Sequence, residues 1–358
     1  MAETPMMEQY RRAKSKNRDA VLFFRLGDFY EMFFEDAVEV SSLLNLTLTK
    51  RQGEPMCGIP WHASRSYIAR LLKAGKKVAI CEQVGEAGTG RGIVDREVTE
   101  VITPGTAMEE DFLDRAANNW IFSLCSGKGR LGCAWLDLGT SEFRCVAIPD
   151  SVPEDTEAWL RQELYRLDPR EMLVQQSLLD RPEISGVVSS LPSLILNRLP
   201  DWSFDAKVAA EDIRSRFGLA TLKGLGFSEE GAELAAARAL LRYVDDMSQA
   251  ANPHISILRP FAYDEFAMID ESTQKNLELV RNLHDSSKSF SLLETLDFTR
   301  TGPGARLLRQ WILQPLRRIE EIEARLEAVE FLYRHQRLLA DLRQELARVL
   351  DSERLASR

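Results

Sequence analysis

Phe29, Tyr30 and Glu31 combine side-chain types that could act together on a nucleic-acid base. They follow the apolar run AVLFFRL and a Gly-Asp turn, so we expect them to lie in an extended segment. In such a segment Phe29 and Glu31 point to one face and Tyr30 points to the other. The shared face presents an apolar wedge, of the kind that inserts between base steps, beside a hydrogen-bond acceptor. For an isolated Phe-x-Glu, the ordinary alternative is a core phenylalanine and a surface acid.

The elements that must position these residues alternate between helix and strand. Apolar spacing predicts helices over residues 5–17, in FEDAVEVSSLLNL, and over residues 64–74, where Gly75 suits a left-handed helix end. The segments AVLFFRL, KVAICEQV and EVTEVIT predict strands. We therefore predict a small mixed α/β domain over residues 1–113.

A second α/β segment follows. The stretch NWIFSLCSGKGRLGCAWLDLGTSEFRCVAI predicts three strands joined by two turns. Helical patterns then alternate with short apolar runs such as EMLV and GVVSS, and this alternation predicts a mostly parallel or mixed sheet with helices on its faces. The helix SEEGAELAAARALLRYVDDMS closes a predicted domain over residues 114–248, and ANPHISILRPFAY predicts an extended linker over residues 249–263.

From about Asp270 the pattern is helical, which predicts the start of an all-α domain over residues 264–358. The segments STQKNLELVRNL and GPGARLLRQWIL have helical spacing, and a long apolar stripe begins at Ile319. An amphipathic helix cannot bury such a stripe alone. We therefore expect a continuation of the chain, or a partner, to cover it.

Composition is that of a globular protein rather than a membrane or disulfide-rich one. Apolar residues make up 44% and charged residues 28% of the chain. No apolar run approaches the ~18 residues that a membrane span requires, and the polar amino terminus does not resemble a secretory signal. Five scattered cysteines without CxxC spacing favour neither a disulfide framework nor a zinc site. We expect a cytoplasmic protein.

The net charge of −9 disfavours nucleic-acid binding if it is considered alone. Residues 1–110, however, hold 15 Lys and Arg against 16 Asp and Glu, a balance of −1. Basic clusters occur at residues 11–18 and 65–77, and a solvated helix face is the ordinary interpretation of either. The candidate contacts with a DNA backbone are His62, Arg65, Lys76 and Lys77.

The segment RLGDFYEMFFEDA resembles the mismatch-binding domain of the MutS family of DNA mismatch repair proteins. The resemblance continues through PMCGIPWHA, VAICEQVGE, ITPGT and WLDLGTSEF. It then includes MIDESTQKNLEL, LLETLDFTRTGPGARLLRQWILQPL and DSERLASR. Because these segments follow one another in order along nearly the whole chain, chance is a poor explanation.

This resemblance implies a multidomain α/β fold with a mixed α/β mismatch-binding domain, an RNase H-like connector and the start of a helical core. It implies that Phe29 is the wedge that stacks on a mispaired base and that Glu31 hydrogen-bonds that base. The partners it implies are double-stranded DNA with mismatches, a second copy of the protein, and a MutL-type protein bound through the connector. The implied compartment is the bacterial cytoplasm.

The ATPase motif of the family is absent from this sequence. No GxxxxGK[ST] string occurs, and CSGKGRLG and GEAGTGRGIV have the wrong spacing and favour hairpin turns. ATP and Mg²⁺ are therefore expected only for a missing carboxyl-terminal ATPase, and no cofactor is expected within this chain. We also expect the DNA-encircling clamp to be missing, so that the chain is a truncated form with weak DNA binding of its own.

Other functions have less support. WLDLGTSEF is similar to a phosphate loop of actin-like ATPases, in which Asp137 would serve Mg²⁺, but no second phosphate loop or adenosine site accompanies it. Asp137 and Glu142 are too few carboxylates for a two-metal nuclease. His62 has no nucleophile signature near it. A different class of hypothesis stays open, in which the chain is a protein-interaction module without autonomous DNA binding.

Overall fold

The computed structural model describes residues 4–84, 94–150, 152–247 and 254–357. The chain divides into two units, one made of Met1–Leu113 with Leu241–Asn252 and the other of Asp114–Leu240 with Pro253–Arg358. The limits at residues 113, 248 and 263 that we expect from the sequence stay a prediction.

The first unit holds a mixed six-stranded sheet in the order β3-β4-β2-β1-β5-β6. Only the β1–β5 pair is parallel among these described neighbours. Its helices and strands are α1 (Pro5–Lys16), β1 (Ala20–Leu26), β2 (Phe29–Phe33), α2 (Phe34–Leu44), β3 (Thr49–Arg51), β4 (Glu54–Pro60), α3 (Ser64–Lys73), β5 (Lys77–Val84) and β6 (Asp95–Ile102). The three helices and three strands expected from the sequence are confirmed.

Both faces of this sheet are covered, which explains the unbroken apolar run of β1. Val21 and Phe23 belong to a core with buried side chains of α2 and α3, whereas Leu22 and Phe24 pack with Met7 of α1 and its neighbours. A strand whose two faces are both buried needs apolar residues at every position rather than at alternate ones.

The second unit holds another six-stranded sheet, in the order β11-β10-β7-β8-β9-β12. β7, β8 and β9 form an antiparallel meander, and β10 runs parallel to β7 and to β11. This is the strand arrangement of an RNase H-like connector. The elements are β7 (Trp120–Gly127), β8 (Arg130–Asp137), β9 (Glu142–Pro149), α4 (Pro153–Leu167), β10 (Glu171–Gln175), α5 (Pro182–Ser189), β11 (Ile195–Leu199), α6 (Ala206–Phe217), α7 (Ala232–Met247) and β12 (Arg259–Pro260). The part of α7 from Leu241 onward is assigned to the first unit.

One predicted strand of this unit is wrong. The run GVVSS lies in α5, where Pro182 occupies the first turn and Ile184, Val187 and Val188 are buried. Their spacing of three and four residues places them on one helical face, and a five-residue apolar run is too short to separate a strand from a helix. The fifth strand is instead β11, and its sequence ILNRL is only partly buried.

The remainder of the second unit is helical, with long connecting turns. Its helices are α8 (Glu271–Asn276), α9 (Leu292–Leu296), α10 (Gly302–Leu313), α11 (Ile319–Arg334), α12 (Gln336–Leu346) and α13 (Ser352–Ala356). α10 coincides with the predicted helix GPGARLLRQWIL. The predicted helix STQKNLELVRNL is correct only in its first half, because α8 ends at Asn276 and Glu278 takes a φ of +47°.

Two further features concern the predicted linker and the apolar stripe. Within the linker, Arg259 and Pro260 form β12 beside β9, and Ile255 and Leu258 are buried. Every residue of α11 and α12 is at least partly exposed, including the apolar stripe that begins at Ile319.

In the parts of the chain that the structure describes, none of the helices is long and apolar enough to cross a membrane.

Candidate functional site

A tight hairpin presents Phe29 at one end of the first sheet. β1 and β2 pair antiparallel with Leu26 opposite Phe29, which leaves Gly27 and Asp28 as a two-residue turn. Gly27 takes a φ of +61°, a conformation that glycine adopts without steric cost. The Phe29 side chain is 47% exposed although the strand that carries it is anchored in the core.

Alternation along β2 places Phe29 and Glu31 on one face and the buried Tyr30 and Met32 on the other. Tyr30 and Met32 belong to the core beneath α2 and α3. Phe29 and Glu31 lie on the opposite face, opposite Leu26 and Phe24 of β1. The sequence-based expectation that Phe29 and Glu31 share a face is therefore confirmed.

The Glu31 carboxylate is held by an arginine that the sequence analysis missed. Nη1 of Arg51 donates to both carboxylate oxygens of Glu31, at 2.7 Å and 2.5 Å. Arg51 ends β3, which is separated from β2 by β4, where Gly58 stands opposite Glu31. A Cβ at Gly58 would lie 3.6 Å from Cγ of Glu31 and 3.9 Å from Cδ1 of Phe29, so the glycine leaves room beside both side chains.

A second cluster of polar and aromatic groups stands beneath the same hairpin. The Tyr30 hydroxyl donates to Glu82 of β5, and burial together with this hydrogen bond raises the pKa of Tyr30 to about 12. The Arg25 guanidinium stacks 4.6 Å from the centre of the Trp61 ring and 5.5 Å from that of Tyr30. Trp61 is 47% exposed, and its backbone N–H donates to the carbonyl of Asp28 at 3.0 Å. The hairpin tip is thus tied to the segment that follows β4.

A buried carboxylate fixes the junction that follows β2. Asp36, in the first turn of α2, accepts from the backbone N–H of Leu22 at 3.0 Å and from Nζ of Lys14 at 2.8 Å. Phe34 takes a φ of +56°, which is unusual for a bulky residue, and Arg11 lies over its ring. Lys14 and Arg11 of the first basic cluster therefore have intramolecular partners.

Two of the four candidate backbone contacts lie within five residues of the end of β4. His62 is exposed in a 3-10 turn, Trp61–Ala63, directly after Pro60, the β4 residue that stands opposite Phe29. Arg65 lies in the first turn of α3 with its side chain 70% exposed, and its Nε is 3.3 Å from the Glu109 carboxylate.

The other two candidate contacts lie at the far end of the sheet. Lys77 stands opposite Ala20, the first residue of β1, whereas Phe29 stands opposite Leu26, the last. Six residues of strand separate these positions, roughly 20 Å at the usual rise per residue. Lys77 pairs with Asp19 at 2.7 Å, and its neighbour Lys76 pairs with Glu39 at 2.5 Å. The structure does not bring these lysines to the Phe29 surface.

The carboxylates considered for metal or phosphate chemistry are in the second sheet. Asp137 is fully buried and accepts from the Asn118 side chain at 2.8 Å and from the backbone N–H groups of Asn119 and Gly139 at 3.1 Å and 2.9 Å. Burial raises the pKa of Asp137 despite these hydrogen bonds. Glu142 pairs with Arg144. Within the described ranges no three His, Cys, Asp or Glu are grouped so as to hold a metal ion.

A hairpin turn accounts for one of the two glycine-rich segments. CSGKGRLG forms the predicted hairpin turn between β7 and β8, where Lys128 and Gly129 both have positive φ. The segment GEAGTGRGIV, for which we also predict a turn, lies almost wholly outside the described residues.

Comparison with known proteins gives matches along nearly the whole chain. Models described as MutS domain I, MutS domain II and MutS domain III match residues 4–111, 119–256 and 272–358. The DNA mismatch repair protein MutS of Treponema denticola is 45% identical over 367 residues, which cover 99% of this chain and 41% of that protein. The proteins of the same name from Treponema pallidum and Myxococcus xanthus are 41% and 42% identical, over 100% and 99% of this chain and 39% and 40% of theirs.

The chain thus spans about two fifths of the length of these curated relatives. The three domain models follow one another in order. The first sheet lies within the first matched segment, and β7 to β11 of the second sheet lie within the second. The chain belongs to the MutS family.

Proposed function

We propose that this chain binds double-stranded DNA and senses mispaired bases as part of DNA mismatch repair. In this proposal Phe29 inserts from the minor groove and stacks on the mispaired base, while Glu31 hydrogen-bonds that base. The observation that carries it is the 47% exposure of a phenylalanine at the tip of an anchored hairpin, within a chain of the MutS family. A core phenylalanine, the ordinary alternative, would be buried.

The proposed specificity comes from deformability rather than from base identity. An aromatic wedge opens a base step most easily where pairing is already weak, and the energy of kinking the duplex then discriminates between sites. The hairpin suits this role because its backbone is held by β1 and β4 on either side and by the Trp61–Asp28 hydrogen bond. Because the hairpin is rigid, the duplex rather than the protein must deform when Phe29 inserts.

Wider proposals come with the family and the names of the relatives. We propose that the natural protein forms homodimers, that the connector contacts a MutL-type partner, and that ATP hydrolysis belongs to parts of the family outside this chain. Arg65 and His62 remain candidate contacts with the DNA backbone near Phe29. Lys76 and Lys77 are weaker candidates, since each is ion-paired at the far end of the sheet.

Binding to matched and mispaired duplexes tests the proposal. Fluorescence anisotropy with labelled duplexes of one length, with or without a single mispair, should show binding by the 358-residue chain that is weak and falls steeply with salt. At low salt the mispaired duplex should bind more tightly. Equal binding of both duplexes, with retained binding of a MutL-type protein, would instead favour an interaction module.

A further inference from the structure

Each carboxylate oxygen of Glu31 already accepts one hydrogen bond within the chain. Nη1 of Arg51 donates to both oxygens of its carboxylate, and the Glu31 side chain is only 14% exposed. A base donor that approaches Glu31 therefore meets a carboxylate whose charge is compensated and whose two oxygens both have a partner. The Arg51 side chain, at 41% exposed, is the more accessible member of the pair.

The same ion pair changes how this surface meets DNA. An unpaired carboxylate beside Phe29 would be repelled by the phosphates of any duplex, whereas the Glu31–Arg51 pair is neutral in sum. While Arg51 stays on Glu31, it adds no net attraction for the backbone. If Glu31 takes a hydrogen bond from a displaced base, Arg51 becomes available for a phosphate oxygen, which arginine binds well.

Exposure makes such an exchange feasible. Partly exposed ion pairs add little to folding stability, because water competes for both charges and long side chains lose conformational freedom. Arg51 is also the last residue of a three-residue strand next to the turn at Gln52 and Gly53, so its side chain can leave Glu31 without disturbing the core.

We propose that Arg51 is a specificity-determining residue that exchanges partners, from Glu31 in the free protein and on matched duplex to a DNA phosphate when a mispaired base engages Glu31. This inference rests on the proposed function of Phe29 and Glu31. The exchange of partners adds one phosphate contact only at mispaired sites. An electrostatic contact that carries no sequence information thus contributes to mismatch discrimination.

The salt dependence of binding by the complete gene product measures this exchange. Each phosphate contact adds about 0.9 to the slope of log K against log salt. The parent protein should show a slope about 0.9 steeper on mispaired than on matched duplex. Arg51→Met should abolish that difference in slope and lower affinity for the mispaired duplex by about five- to tenfold at 0.1 M salt. Matched binding should weaken by a smaller factor, because the variant leaves the Glu31 charge without its partner.

The complementary variant is Glu31→Gln, which removes the carboxylate that holds Arg51. With Arg51 free on both duplexes, the matched slope should become steeper by about 0.9 and matched binding should become tighter. Arg161→Met is a matched control, since Arg161 is 38% exposed and pairs with Glu157 at 2.8 Å in the second unit. It should leave the slope difference between the two duplexes intact.

Three results would overturn the proposal. If Arg51→Met reduced the salt slope equally on both duplexes, Arg51 would be a constant contact with the DNA backbone. If the variant changed the slope on neither duplex, Arg51 would be only a structural partner of Glu31. If the parent had equal slopes on the two duplexes, there would be no exchange. The proposed function is tested separately by Phe29→Ala, which should lose its mismatch preference even when the Arg51 result is negative. Thermal unfolding of each variant, with a melting temperature close to that of the parent, shows that the fold is kept.

Discussion

Phe29 and Tyr30 are neighbours on β2 whose side chains lie on opposite faces of the sheet, the first 47% and the second 6% exposed. Tyr30 packs into the core and hydrogen-bonds Glu82, so it anchors the strand. Phe29 has no comparable burial. The two aromatic side chains can therefore be assigned different effects on substitution.

Phe29→Ala should remove the preference of the complete gene product for mispaired duplex while leaving the fold stable. The stacking lost is worth about 1 to 3 kcal/mol, which corresponds to roughly one or two decades of affinity for the mispaired duplex. Its exposure predicts a loss in the free energy of unfolding of under about 1 kcal/mol. Fluorescence anisotropy with matched and mispaired duplexes measures the change in affinity, and denaturant unfolding measures the change in stability.

Tyr30→Ala is the matched comparison for that prediction. Removal of its buried ring should cost about 3 to 5 kcal/mol of unfolding free energy, like other buried aromatic truncations. If Phe29→Ala were as destabilising as Tyr30→Ala and left discrimination unchanged, Phe29 would be a core residue and the wedge hypothesis would be wrong.

The ion pair of Arg306 and Asp351 is a buried polar contact whose loss should destabilise the second unit. Nη1 and Nη2 of Arg306 each donate to Asp351 at 2.8 Å, and both side chains are buried. Arg306→Met removes both guanidinium hydrogen bonds of Asp351 and leaves Arg354, whose Nε is 4.0 Å away, as its remaining counter-charge. The change should cost about 3 kcal/mol, the low end for a broken buried pair. The double variant Arg306→Met/Asp351→Leu should recover part of this loss, whereas a double variant less stable than the single one would show that the aspartate is not penalised.

The same pair predicts a pH dependence. Burial would raise the pKa of Asp351, but the hydrogen bonds and charge of Arg306 outweigh it and hold that pKa below its ordinary value of 3.8. The unfolded chain then binds a proton before the folded chain does, so the contribution to stability is complete above about pH 4 and is lost as the pH falls through the lowered pKa. Denaturant unfolding between pH 6 and pH 3 should show that the difference in unfolding free energy between the parent and Arg306→Met becomes smaller as the pH falls.

This chain should not hydrolyse ATP. The DLGT segment holds Asp137 in a fully buried position with three hydrogen-bond donors, which gives it a structural role at the end of β8. A phosphate-release assay with Mg²⁺ should give the buffer rate for the parent and for Asp137→Asn, which preserves the shape of the side chain. Turnover above background in the parent that a folded Asp137→Ala variant lacks would revive the phosphate-loop hypothesis.

Gly132 on β8 should not tolerate a side chain. A Cβ there would lie 2.1 Å from the carbonyl carbon and 2.2 Å from the carbonyl oxygen of Ala232, at the start of α7. Because those atoms belong to the backbone, Gly132→Ala should lose about 1 to 3 kcal/mol. Gly186→Ala is the control: its Cβ meets no atom within 4 Å, and in α5 the change should gain about 0.5 to 1 kcal/mol. A higher melting temperature for Gly132→Ala than for Gly186→Ala would contradict the close packing of α7 on β8.

The extent of prediction from sequence differs between the two sheets. In the first, the sequence predicts all three helices and the strands β1, β5 and β6, because the helices have a regular apolar spacing and these strands are distinct runs of strand-forming residues. In the second, the run GVVSS was assigned wrongly and β11 was missed, since ILNRL is partly buried and has no clear alternation. Short elements take their structure from what packs against them, and that is not visible locally.

Sequence alone determined the family and the face that Phe29 shares with Glu31, because motif order and strand alternation are properties of the linear chain. Only the tertiary structure decided the partners of those residues. Arg51 reaches Glu31 because the strand order places β4 between β3 and β2, and Lys77 is remote from Phe29 because β1 and β5 run parallel. Strand order and register depend on contacts between distant parts of the chain, which no local pattern encodes.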